Sequence, residues 1–145
     1  MAVVGAGEAS PDLEAQAEVV GRLLAQRGAL VVCGGLGGVM AGACRGAKAA
    51  GGTTLGILPG TDRGQANPWV DVAVPTGMGE ARNAIVVRAA DVLIALAGEY
   101  GTLSEIALAL RLGRTVVSLS SWQIPGVRAA CDPAEAVEQA LGGLA

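Results

Sequence analysis

Short apolar segments alternate with segments of helical periodicity from one end of the chain to the other. The apolar segments are rich in Val, Leu and Ile and end at turn-forming residues, which predicts strands at 2–4, 29–33, 53–58, 70–74, 92–96 and 115–119. These strands are apolar on both faces, as is typical of a parallel sheet that helices cover on both sides. The pattern predicts the α/β class: a single doubly wound, mostly parallel sheet with helices on both faces, in the Rossmann-like arrangement.

The helices between these strands are marked by their ends as well as by their periodicity. Ser10 and Pro11 form an N-cap and a first helical residue, and apolar residues then recur at helical spacing. A helix of small residues is predicted from the glycine run at 34–38 to about Ala50, and Asp132 is placed to cap a last short helix. No linker or repeat interrupts the chain, so residues 1–145 are predicted to form one domain.

Composition excludes several classes of chemistry. The chain has no histidine, which excludes a Ser-His-Asp triad, a Cys-His pair and any histidine metal site. The net charge of −3 argues against nucleic acid or an anionic membrane as the main partner. No signal peptide is visible and no apolar run reaches the ~18 residues of a membrane span. We therefore expect a cytoplasmic protein that does not bind membranes.

The three cysteines, Cys33, Cys44 and Cys131, lack the spacing of metal ligands. We expect all three to be small buried residues in a reducing compartment, and no metal site is predicted. The single lysine, Lys48, lies near the polar end of its predicted helix, away from the glycine-rich loops. A pyridoxal enzyme needs a lysine in its site, so this chemistry is rejected.

Three glycine-rich loops follow predicted strands, at 5–7, 34–38 and 98–101. Ligands of doubly wound sheets bind beyond the carboxyl ends of the strands, where such loops meet, and helix N-termini there attract phosphate. The 34–38 run could equally be a tight turn that lets a helix pack closely on a strand. NAD is not expected, since Ser10 replaces the last glycine of a dinucleotide fingerprint and no acidic residue ends the second strand.

The segment from Gly79 to Leu110 carries the strongest chemical signal. Arg82 precedes a helix, an apolar strand follows, and a Gly-Thr-x-x-Glu step that contains Glu105 opens the next helix. Glu105 could face a ligand at the mouth of this helix or could close a capping box with Thr102. Arg82 could hold a phosphate or a leaving group, or it could be a solvated residue paired with a nearby carboxylate. The residues alone leave both choices open.

The motifs GGLGGVMAGACRGA and GEARN…ADVLIALAGEYGTLSEIALAL resemble the superfamily of Lonely Guy phosphoribohydrolases, whose members are often labelled lysine decarboxylases. The short chain and its GEARN wording are most similar to the small bacterial branch that includes molybdenum cofactor carrier proteins. The resemblance covers most of the chain. It implies catalytic positions at Arg82 and Glu105, and Gly98, Gly101 and Thr102 match the phosphate loop.

Ligand contacts are predicted for Gly7, Gly34, Gly35, Gly37, Gly38, Met40, Asn83, Gly98, Gly101 and Thr102. One departure from the family pattern lies in the phosphate loop, where the PGG of the hydrolases is replaced by Ala97-Gly98-Glu99. The added charge of Glu99 disfavours turnover of an ordinary nucleotide.

Two functions follow from the resemblance. The first is a carrier that binds a phosphorylated, nucleotide-like ligand such as the molybdenum cofactor; the second is a phosphoribohydrolase that cleaves nucleoside 5′-monophosphates to free base and ribose 5-phosphate. No cofactor is required by either, although a molybdenum cofactor or a nucleotide could be bound. The segment 106–112 is apolar nearly all round its helix, which favours a homodimer or homotetramer over burial within one subunit.

Overall fold

The computed structural model describes residues 1–144, which form one seven-stranded sheet and five α-helices. All strand pairs are parallel. In chain order the elements are β1 (Ala2–Gly5), α1 (Pro11–Gln26), β2 (Val31–Cys33), α2 (Val39–Ala49), β3 (Thr54–Leu58), β4 (Val72–Pro75), α3 (Asn83–Arg88), β5 (Val92–Leu96), α4 (Tyr100–Arg111), β6 (Thr115–Leu119), β7 (Arg128–Ala130) and α5 (Pro133–Gly142). The predicted fold class is confirmed, with a sheet that is wholly parallel.

The differences from the predicted elements lie at the ends and at one edge of the sheet. The strand predicted at 29–33 begins at Val31, and the one predicted at 70–74 is shifted to Val72–Pro75. Short 3-10 helices occupy Arg63–Gln65 and Gly79–Arg82. The seventh strand, β7, was not predicted because its three residues, Arg-Ala-Ala, lack an apolar run.

The sheet separates two apolar cores, one on each face. The helices α1, α2 and α5 pack on one face, and α3 and α4 pack on the other. Successive residues of each strand point to opposite faces, so Val3 contributes to the first core and Val4 to the second. The sequence therefore needs apolar residues at every position of the central strands, as β5 shows with five buried residues.

Both predicted N-caps are formed. The Ser10 hydroxyl accepts a hydrogen bond from the Leu13 amide at 3.2 Å, and the Asp132 carboxylate accepts one from the Glu135 amide at 2.8 Å. These caps satisfy amides that would otherwise lack partners at the starts of α1 and α5.

Helices α1 and α2 approach each other through glycines. A Cβ on Gly46 would overlap the Glu18 carbonyl oxygen, and one on Gly21 would overlap that of Ala43. The close approach explains why the predicted small-residue helix contains so few large side chains: it lies against another helix as well as against the sheet.

The order of the strands decides where a ligand can bind. The order is β4-β3-β2-β1-β5-β6-β7, so the chain moves outward from β1 to β4 and then returns to β5 beside β1. Connections therefore leave β1 and β5 in opposite directions, and the loops after these neighbouring strands separate. Such a switch point opens a crevice at the carboxyl edge of the sheet.

Candidate functional site

A cavity of about 430 Å³ lies at this switch point. Its size falls in the range of small-molecule sites, which is roughly 300–1,000 Å³. Four segments form its wall: the loop after β1, the loop between β2 and α2, the start of α3, and the N-terminal turn of α4. The lining residues are Val4, Gly5, Ala6, Gly7, Glu8, Gly34, Leu36, Met40, Arg82, Asn83, Glu99, Gly101, Thr102 and Glu105.

The N-terminus of α4 faces the cavity. The helix begins at Tyr100, and Gly101 and Thr102 of its first turn are among the lining residues. Amides of a first turn have no partner within the helix, and the helix dipole adds positive potential there. Gly98, at φ +94°, leads into this turn, where a Cβ would overlap the Thr102 side chain. This corner of the cavity is suited to an anionic group.

Glu105 lies on the same helix, one turn further in, and is only 6% exposed. The capping box proposed for this residue is wrong: α4 begins at Tyr100 with Glu99 as its N-cap residue, so Thr102 lies inside the helix and is not the cap. Burial raises the pKa of Glu105 to about 7, against the opposing effect of the Arg82 charge. At neutral pH this carboxyl group is therefore present in both its protonated and its ionised form.

Arg82 enters the cavity from the end of a short 3-10 helix. Its Nε atom is buried and has no hydrogen-bond partner within residues 1–144. The alternative of a surface pair with Glu80 or Asp91 does not fit, because no carboxylate in those residues lies within 4.0 Å of the guanidinium. Burial lowers the pKa of Arg82, and the nearby Glu105 raises it. A half-buried guanidinium whose Nε–H is free is suited to bind an anionic ligand.

The N-terminus of α2 is largely closed to a ligand by the loop after β1. The Val39 amide, the first of the helix, donates to the Ala6 carbonyl oxygen at 3.0 Å. Gly38, at φ +62°, packs against Ala6 and Gly7 so closely that a Cβ would overlap their backbone. The glycine run after β2 therefore serves chiefly for close packing, which was the alternative to a phosphate-binding role in the sequence analysis.

The predicted ligand residues fall into two groups. Eight of the twelve predicted catalytic and ligand-binding residues line the cavity: Gly7, Gly34, Met40, Arg82, Asn83, Gly101, Thr102 and Glu105. The other four, Gly35, Gly37, Gly38 and Gly98, lie outside the lining and allow close backbone packing or turns around it. A Cβ on Gly35, for example, would lie 2.8 Å from the Leu58 side chain.

Six lining residues were not predicted to contact the ligand: Val4, Gly5, Ala6, Glu8, Leu36 and Glu99. The charged members, Glu8 and Glu99, are exposed at the rim of the cavity. In the sequence, each of these two glutamates directly follows a glycine-containing segment at the end of a central strand, and this position could have identified them. The sequence alone does not show that these two strands, β1 and β5, are neighbours.

The expectation that all three cysteines are buried holds for two of them. Cys33 and Cys44 are buried, but the expectation for Cys131 is wrong because this residue is exposed in the turn before α5. No group of three or more Cys, Asp or Glu side chains in residues 1–144 is arranged to hold a metal ion. Lys48 forms an ion pair with Asp71 at 2.8 Å and is not among the lining residues.

The wholly parallel sheet and the crevice at its switch point define a Rossmann-like domain with a cavity of small-molecule size. The model of the SLOG cluster4 family matches residues 1–140, and the chain belongs to this family.

Three known proteins are similar to this chain over nearly its whole length. A protein of Archaeoglobus fulgidus described only as uncharacterized is 43% identical over 140 residues, which cover 96% of this chain and 92% of that protein. The solved molybdenum cofactor binding protein of Rippkaea orientalis is 36% identical, with a TM-score of 0.93 over 99% of this chain and 96% of that one. The Moco carrier protein of Chlamydomonas reinhardtii is 34% identical, with a TM-score of 0.89 over 99% and 95%.

Within residues 1–144, none of the helices is both long enough and apolar enough to cross a bilayer.

Proposed function

We propose that this chain is a binding protein that holds a phosphorylated, nucleotide-like ligand of the molybdenum cofactor type in the switch-point cavity. The phosphate would lie at the first turn of α4, against the amides of Gly101 and Thr102, and the guanidinium of Arg82 would contact the same ligand. Asn83 and Met40 would line the remaining wall. The similarity to two proteins that are described as binding or carrying this cofactor supports the choice of ligand.

The buried Nε atom of Arg82 carries the proposal. Arg114 Nε and Gln139 Oε1 also lack partners within residues 1–144, but Arg82 is the one of the three that lines the cavity. A buried donor without a partner costs roughly 1–3 kcal/mol, and an acceptor on a ligand in the cavity would offset this cost. The group implied by the relatives fits these residues, because it offers phosphate oxygens to this donor and to a helix N-terminus. The cavity volume of about 430 Å³ also accommodates a ring system together with its phosphate.

The charges around the cavity suit an anionic ligand best when Glu105 is protonated. Three carboxyl groups, of Glu8, Glu99 and Glu105, line it beside the single guanidinium of Arg82. A dianionic phosphate is thus attracted by one cation and one helix terminus only. Protonation of Glu105 removes one opposing charge, which its pKa of about 7 allows near neutral pH.

The second candidate is the phosphoribohydrolase. It is favoured by one specific observation, the burial of Glu105 in the same cavity as Arg82. In this reaction the ionised Glu105 would stabilise positive charge that develops on the ribose, or would orient the attacking water. Arg82 would hold the nucleotide in place.

Two measurements on the same preparation distinguish these functions. The first is release of free base from nucleoside 5′-monophosphates, followed by chromatography, with wild-type and Glu105→Gln protein. The second is the pterin content of protein purified from a host that makes the molybdenum cofactor, read by fluorescence after oxidative release, with Arg82→Gln as the variant. Glu80→Gln serves as the matched control, because Glu80 is exposed and lies on the same 3-10 helix, two residues before Arg82.

We expect none of these proteins to release free base. Wild-type and Glu80→Gln protein should contain pterin. The pterin content of Arg82→Gln should be lower by roughly 10-fold or more, because a charge-assisted contact is removed. Base release by wild-type protein that Glu105→Gln abolishes would instead establish the hydrolase. Pterin that is retained equally by Arg82→Gln would refute the role of the arginine.

A further inference from the structure

A cluster of sulfur atoms lies behind the wall of the cavity. Cys33, Cys44 and Met40 form one buried group, and both cysteines are fully buried. The two Sγ atoms are 3.4 Å apart, although the residues are 11 positions apart in the chain. Met40 lines the cavity directly, and Gly34, which follows Cys33, lines it too. The cluster therefore reaches the cavity through Met40.

The surroundings of the cluster provide donors to sulfur. The Gly35 amide donates to Cys33 Sγ at 3.3 Å. The Cys33 and Cys44 thiols are also hydrogen-bonded to each other, with one Sγ–H donating to the other sulfur. Thiolate is the form of cysteine that binds metals.

The type of donor narrows the choice of ion. Two thiolates and a thioether are soft ligands, which select Cu(I) among the common metals, and the chain has no histidine to favour others. A structural zinc site would need four ligands, usually cysteine and histidine. Two metal–sulfur bonds of about 2.3 Å at tetrahedral or trigonal angles put the sulfur atoms roughly 3.8–4.0 Å apart. The observed 3.4 Å therefore requires only a small separation of the two thiols.

We propose that Cys33, Cys44 and Met40 bind one Cu(I) ion at the inner wall of the cavity. The ion enters past Met40, which is 8% exposed and faces the open space. Two thiolates and Cu(I) leave a net charge of −1, and the Arg82 guanidinium, which packs against Gly34 beside Cys33, offsets this charge. The proposed copper site uses no residue of α4, but it shares Arg82 with the proposed phosphate site.

The test is an anaerobic titration in which protein competes with the chelator bicinchoninate for Cu(I). The background is Cys131→Ser, which removes the exposed thiol as a competing ligand. In this background we expect one Cu(I) per chain. Adding Cys44→Ser should weaken binding by more than about 100-fold, because loss of an outer contact alone costs about 10–100-fold. Adding Met40→Leu, which conserves volume, should weaken it by about 10-fold or more.

Three results would overturn the proposal. They are failure of the Cys131→Ser protein to take Cu(I) from the chelator, retention of affinity after Cys44→Ser, and unchanged affinity after Met40→Leu. X-ray absorption of the loaded Cys131→Ser protein gives a direct check, since only sulfur ligands are expected and nitrogen or oxygen ligands would contradict the site. The Met40→Leu variant keeps the test valid if Cys44→Ser fails to fold, as its thermal transition will show.

Discussion

Replacing Glu105 with glutamine should make the protein more stable at alkaline pH while leaving its stability at about pH 4 almost unchanged. Burial raises the pKa of this residue from its usual 4.5 to about 7 in the folded state. The folded chain therefore binds the Glu105 proton more tightly than the unfolded chain, and stability falls as the pH rises between these two values. Each pKa unit corresponds to about 1.4 kcal/mol, so the folded protein loses roughly 3 kcal/mol through this group.

The measurement is urea unfolding of wild-type and Glu105→Gln protein between about pH 4 and about pH 8.5. At about pH 4 the wild-type carboxyl group is mostly protonated in both the folded and the unfolded chain and is similar in shape to glutamine, so the free energies of unfolding should nearly agree. The variant should become more stable by about 3 kcal/mol above pH 8, where the wild-type carboxyl group is ionised and buried. Comparing the two proteins cancels the titration of all other groups.

Glu99→Gln is the matched control, because Glu99 lines the same cavity but is exposed. Its curve should run parallel to that of the wild type at every pH. If Glu105→Gln also runs parallel to the wild type, Glu105 is ionised without cost and its burial has been misjudged. The reasoning on ligand charge would then fail as well.

Three further results are expected. Gly46→Ala should lower the free energy of unfolding in urea by about 1–3 kcal/mol, because the added Cβ overlaps α1. Its control, Gly142→Ala, should raise this free energy by about 0.5–1 kcal/mol, because the added Cβ has nothing within 4 Å and alanine favours the helix α5. Asp132→Ala should cost about 1 kcal/mol in the same assay through loss of the α5 cap. Calorimetric binding of GMP should weaken as the pH rises through about 7, where Glu105 ionises, and should lose this dependence in Glu105→Gln; a pH-independent wild type would refute the link.

The fold was predictable because its local signals agree with one another. The three middle strands, β2, β1 and β5, are apolar throughout. The caps at Ser10 and Asp132 mark two helix starts in both sequence and structure. The edge strand β7 carries no such signal, since Arg128 and Ala129 are exposed and are held by pairing with β6. Backbone pairing at an edge needs no apolar side chains, so a pattern of hydrophobic residues cannot reveal it.

The site was less predictable than the fold, because its parts come together only through strand order. Arg82 and Glu105 were found from a motif, but Glu8 reaches the same cavity only because β1 lies beside β5. The capping box failed for a local reason: the sequence fits a helix that starts at Thr102, yet α4 starts two residues earlier at Tyr100. Cys33 and Cys44 likewise meet through the packing of α2 on β2.

The loop before α4 differs from the hydrolase motif in a way that the backbone makes clear. Ala97 stands where the motif has proline, and it adopts φ +46°. A proline ring holds φ near −65°, so the motif residue could not occupy this backbone. The Ala97 carbonyl accepts a hydrogen bond from Ser121, which ties the loop to the end of β6. Replacing Ala97 with proline alone would therefore disrupt this loop. Arg82 and Glu105 thus lie beside a phosphate-binding corner whose backbone differs from that of the hydrolase motif. Two retained residues are thus weaker support for hydrolysis than they are for a common fold.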